Sequence, residues 1–119
     1  MARAKIVKEE LVENDKSFLA IYLETNNSRI LLMSECEDHL GTLAVAIPQP
    51  RKLVGPALSS VLLGDRNVMI ARALAELLAR NTKKIALVSV YTKSLGEKEA
   101  APIFRKLMEK TLRKQEDEQ

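Results

Sequence analysis

Phe18-Leu19-Ala20-Ile21-Tyr22-Leu23, then Asn26-Asn27-Ser28, then Ile30-Leu31-Leu32-Met33: this stretch decides the fold class of the chain. Two runs of β-forming residues flank a short polar segment whose residues tolerate turn backbone. Such a pair reads as a β-hairpin, with the second strand returning over 29–34. Upstream, residues 5–12 alternate Ile6, Lys8 and Glu10 with Val7, Glu9 and Leu11, and Asn14-Asp15-Lys16 is a turn signal. Downstream, Thr42 to Ile47 reads as a fourth strand, stopped by Pro48 and Pro50. Residues 48–57 hold three prolines and Gly55, with Leu53 and Val54 among them, and read as an ordered loop. Ser59 to Leu63 is a fifth strand.

Periodicity changes after Gly64-Asp65. Ile70, Ala71, Leu74, Leu77 and Leu78 recur every three or four residues and define one face of a helix over 66–80. Arg72, Glu76 and Arg80 share the other face. Asp65 or Asn67 is expected to cap this helix. Ile85 to Val90 is a sixth strand. A second helix spans 98–114, with Ala100, Ile103, Phe104, Leu107, Met108 and Leu112 as its apolar stripe and Pro102 in its first turn. Consecutive strands joined by short turns exclude a parallel doubly wound sheet, which needs crossovers. The expectation is an α+β fold: a mainly antiparallel sheet of five to six strands with two flanking helices, in the order βββββαβα.

A chain of 119 residues is the size of one domain, here 1–114 followed by a charged, frayed tail at 115–119. Hydrophobic residues make up 46% and aromatics only 3%, so aliphatic side chains must build the core. Net charge is +3, with Lys and Arg interleaved with Glu and Asp. That mixing argues for a solvated surface and against a nucleic-acid face. A lone cysteine, Cys36, excludes an internal disulfide and fits a reducing compartment. With no signal-like or membrane-spanning apolar run, the expected location is the cytoplasm.

The strands at 42–47 and 85–90 are apolar on both faces. Leu43, Val45 and Ile47 oppose Ala44 and Ala46, and Leu87 opposes Val88 and Val90. Two helices cover one face only, so the other calls for a partner chain or a sheet bent into a closed sandwich.

Catalytic constellations are missing from the pattern. His39 is the single histidine, three residues from Cys36 in a polar turn, where nothing orients a thiol–imidazole pair. A turn histidine and a half-buried thiol are the expected roles. Glu35, Glu37 and Asp38 form the one carboxylate cluster and read as a solvated loop. The segment Leu62-Leu63-Gly64-Asp65-Arg66-Asn67 joins a strand to a helix start but lacks the glycines and lysine of a phosphate loop. No enzyme, metal or cofactor is expected.

The centre of the chain carries a resemblance. His39-Leu40, Leu43-Ala44-Val45-Ala46, Leu62-Leu63-Gly64-Asp65, Leu74-Ala75, Leu78-Ala79-Arg80, Thr82 and Val88-Ser89 follow in an order and spacing similar to the proteasome assembly chaperone family, and within it to the fourth, small member. The match covers residues 39–91. It implies a non-catalytic protein with a helix-flanked antiparallel sheet. Such a protein works as a homodimer or as a heterodimer with a related small chaperone. It holds α-type subunits of the proteasome core, or assembly intermediates, while the ring forms.

Two departures qualify this. The helix start Arg66-Asn67-Val68-Met69-Ile70 replaces a Ser/Thr-rich segment, and Glu118-Gln119 is not the hydrophobic–tyrosine–any-residue ending by which larger relatives dock. The charge mixing and scarcity of aromatics fit an archaeal source. Exposure and charge single out Arg51, Lys52, Gly64, Asp65 and Arg66 as partner-binding residues. The alternative function is a small-ligand or nucleic-acid-binding adaptor using the Gly64-Asp65 turn with Arg51, Lys52 and Arg66.

Overall fold

The computed structural model describes residues 3–49 and 58–117. The loop expected over 48–57 therefore lies, from Pro50 onward, outside the described residues. The elements are β1 (Lys5–Glu13), β2 (Lys16–Glu24), β3 (Ser28–Glu35), β4 (Thr42–Ile47), β5 (Leu58–Leu63), α1 (Val68–Thr82), β6 (Ile85–Tyr91) and α2 (Glu97–Asp117). The order is the one expected, and the fold is α+β.

The six strands form one sheet in the order β1-β2-β3-β6-β4-β5. All pairs are antiparallel except β3 with β6, where Leu31 faces Val88 and Met33 faces Val90. The β1–β2 hairpin turns at Asn14 and Asp15, both at positive φ, between the paired residues Glu13 and Lys16. That is the two-residue turn whose twist suits a hairpin.

Register puts one set of side chains on a common face. Val7, Tyr22, Leu31, Val88 and Ala44 follow one another across β1, β2, β3, β6 and β4. All are buried, and both helices lie on this face. α1 brings Ala71, Ala75 and Ala79 against a sheet patch that includes Ala44, Ala46 and Ala86, all fully buried. Small side chains on both sides let helix and sheet approach closely. α2 covers β1 and β2 with larger groups, and Phe104 meets Phe18 edge to face at 5.7 Å. The closed-sandwich alternative is thereby excluded for the described residues: the sheet is open, and its second face has no layer upon it.

Three local expectations are corrected. Pro102 is not in the first turn of α2, which begins at Glu97; it sits exposed in the second turn, where the Lys98 carbonyl lacks its usual N–H partner. The tail is not frayed at 115–117. Gln115 is buried and its amide donates to Glu24 Oε1 at 3.1 Å. Neither proposed residue caps α1 by its side chain. Asn67 has left-handed backbone, and its amide donates instead to Thr92 Oγ1 at 2.9 Å. The free Ile70 N–H is met by Glu97 Oε2 at 3.0 Å, from the other helix.

With so few aromatics, the Phe18–Phe104 contact dominates the α2 half of the core. Phe104→Ala should lower unfolding free energy by about 3–5 kcal/mol, read as the urea midpoint. A loss below about 1 kcal/mol would show that the surrounding aliphatics collapse into the space.

Candidate interaction surface

The uncovered face of the sheet is built by the same alternation that builds the core. Leu19, Ile21 and Leu23 of β2 are opposed by Ser34, Leu32 and Ile30 of β3. Leu87 of β6 and Val45 of β4 are paired, and Val45 meets Ser60 of β5. Apart from buried Ser34, none of these is a core residue; each is half-buried or exposed. The rim adds Ile47 at 56% and Leu58 at 69% exposed. Lys8 and Glu10 of β1 flank the patch on one side. Aliphatic side chains without charge in the centre, and charges at the rim, are the anatomy of a protein interface.

One end of this face is closed by the segment 36–41. His39 stacks on Tyr91 at 4.4 Å, Gly41 N–H donates to Ser89 Oγ at 2.8 Å, and His39 N–H reaches Ser34 Oγ at 3.4 Å. Gly41 has no room for a side chain, since a Cβ would stand 2.2 Å from the Val90 carbonyl oxygen.

Glu35 differs from its expected role in a solvated loop. It ends β3 with 1% exposure on the covered face. Its Oε1 accepts the N–H groups of Lys93 at 2.9 Å, Ser94 at 3.1 Å and Leu95 at 3.4 Å. Its Oε2 accepts the Ser94 hydroxyl at 2.7 Å and lies 3.9 Å from Lys16 Nζ. The partners at 93–95 follow some sixty residues later in the chain, which is why the local pattern hid them. Cys36, expected half-buried, is exposed at φ 73°. Among the described residues, no group of three His, Cys, Asp or Glu side chains is placed to hold a metal ion.

Of the five residues singled out by exposure and charge, Arg51 and Lys52 lie outside the described residues. Gly64 takes φ +95° and packs its Cα face against Thr42, where a Cβ would clash. Asp65 and Arg66 are exposed. With Leu40, Tyr91 and Thr92 they line an open cavity of about 300 Å³. Since Glu97 already takes the Ile70 N–H behind this corner, it is a poor receptor for an anionic ligand.

No protein-family model matches this sequence, and no curated protein matches it. Its fold does have a solved counterpart. The chain is similar to a chain of the crystal structure of a novel chaperone complex for yeast 20S proteasome assembly. The TM-score is 0.70, identity is 16%, and the match covers 97% of each chain. Both chains thus share one architecture from end to end, despite nearly unrelated residues.

The hydrogen bonds to Glu35 give a pH test. Burial pushes its carboxyl up, but the Ser94 hydroxyl and the three backbone N–H groups outweigh this and hold it below the usual value. A lowered folded value stabilises above the unfolded value and loses that stabilisation as pH falls through the folded value. Glu35→Gln should therefore cost about 1.5–3 kcal/mol at neutral pH, and the gap to the wild type should close in acid. Melting midpoints measured from neutral pH downward check this; a gap independent of pH would contradict it.

Proposed function

We propose that this protein is a non-catalytic chaperone of proteasome assembly that binds α-type subunits of the core while their ring forms. The observation that carries the reading is the end-to-end fold match to a proteasome-assembly chaperone complex, joined to the sequence resemblance over residues 39–91. In this reading the protein corresponds to the small, fourth member of that family, comes from an archaeal source and acts in the cytoplasm.

The uncovered sheet face supports a dimer. The six strands are six to nine residues long; with five spacings of about 4.8 Å and a rise of about 3.3 Å per residue they span a plane of roughly 24 by 20–30 Å. A rough aliphatic surface of that extent approaches the about 800 Å² per partner of a standard stable interface. A second copy supplies the matching flat, aliphatic surface, and pairing the two faces gives each sheet the second layer it lacks. That leaves the strand-to-helix corner at Gly64, Asp65 and Arg66, with Arg51 and Lys52, as the proposed contact to an α subunit. A chaperone must release its client, and a charged, open corner suits a displaceable contact better than an aliphatic face does.

The test mixes purified protein with unassembled α subunits and, separately, with finished core particles from the same organism. Binding to free subunits and not to finished particles is expected. Binding to neither removes the chaperone reading.

A further inference from the structure

At the opposite end of the sheet from the Gly64 corner, a cavity of about 320 Å³ opens where the β2–β3 turn meets the start of β1 and the turn before β6. Its walls carry Arg3, Lys5, Arg29 and Lys84, with Glu24 the one carboxylate. Four positive side chains against one negative leave a formal +3. The single carboxylate is already engaged. Glu24 Oε2 accepts the Tyr22 hydroxyl at 3.2 Å, Glu24 Oε1 accepts the Gln115 amide at 3.1 Å, and Arg29 Nε stands 3.4 Å from Glu24 Oε2.

Arg29 is held in place independently of any ligand. Its Nη1 donates to the carbonyls of Thr25 at 2.8 Å and Ser28 at 2.9 Å, and the side chain is only 17% exposed. Among the described residues its buried Nε has no hydrogen-bond partner. A guanidinium fixed by its own turn, with donors left over and lysines gathered around it, forms a preorganised receptor: little side-chain freedom remains to be lost on binding. Bringing these cations together is unfavourable without a counter-charge, and an oxyanion is the group whose geometry suits a guanidinium.

We propose that this cavity binds an oxyanion, a carboxylate or a phosphate group, through the Arg29 guanidinium and the ammonium groups of Lys5 and Lys84. The proposal does not depend on the proteasome reading. It concerns another part of the surface and is tested without any proteasome component.

The experiment is an NMR titration of the ¹⁵N-labelled protein at constant ionic strength. One arm uses inorganic phosphate and the other a hexapeptide of Asp and Glu. Saturable shifts are expected at the Arg29 side-chain Nε–H and at the Thr25, Asn26 and Lys84 amides. Lys84→Gln and Lys5→Gln should each weaken binding about fivefold, and neither side chain makes a contact the fold needs. The tighter arm identifies the source of the group: phosphate a small ligand, the peptide an acidic segment of a partner. Saturation in neither arm, or affinity unchanged by both substitutions, would overturn the proposal.

Discussion

The sheet is continuous because β6 enters between β3 and β4. On one side of it lies the meander β1-β2-β3, on the other the pair β4-β5, and these two units do not pair with each other directly. The crossover through α1 makes this insertion possible: β5 leaves at the edge, α1 returns across the covered face, and β6 comes back beside β4. A helical crossover is the connection that a strand needs to run parallel to an earlier neighbour. The fully buried alanines of α1 and of the strands beneath it let that helix lie close enough for β6 to pair on both sides. Gly64 and Gly41 belong to the same arrangement, since each lets the chain pass where a Cβ would strike Thr42 or Val90.

Local patterning made the elements legible. Alternation gave the strands, three-and-four spacing gave the helices, and Asn14-Asp15 gave the first hairpin. The sets at 42–47 do lie on opposite faces, and the structure decides which is which: Ala44 and Ala46 are inside, Leu43, Val45 and Ile47 outside. What was hidden depends on contacts between distant positions. Which strands are neighbours is not written in any one strand, so the parallel β3–β6 pair was invisible. Glu35 looks like one of three loop carboxylates until the 93–95 backbone arrives. Asp65 and Asn67 are the local candidates for the helix cap, since caps are usually local. Here the carboxylate comes from Glu97, the first residue of the other helix. Of the proposed contact residues, sequence spoke only through charge, which says that a side chain is exposed and nothing of what it faces.

The β1 edge of the sheet is blunted. Along β1, Lys110 Nζ donates to the Glu10 carbonyl and Lys114 Nζ to the Lys8 carbonyl, each at 2.7 Å. Lys106 adds an ion pair with Glu13 at 2.7 Å. Lysines four residues apart on α2 thus occupy backbone acceptors that a foreign strand would need, a known way of blunting an edge. Helix and lysines therefore protect the covered face and the β1 edge, while among the described residues nothing covers the aliphatic face opposite. Exposed apolar surface of this extent on a small domain marks an interaction site.

The central claim is that this bare face is buried against a second copy of the chain. Sedimentation equilibrium at micromolar concentration tests it most directly, comparing the protein with Val45→Glu, which places a charge at the centre of the face without touching the core. The account predicts twice the 13.3 kDa of one chain for the protein and a single-chain mass for the variant. A single-chain mass for both, or a pair that survives Val45→Glu, would contradict it.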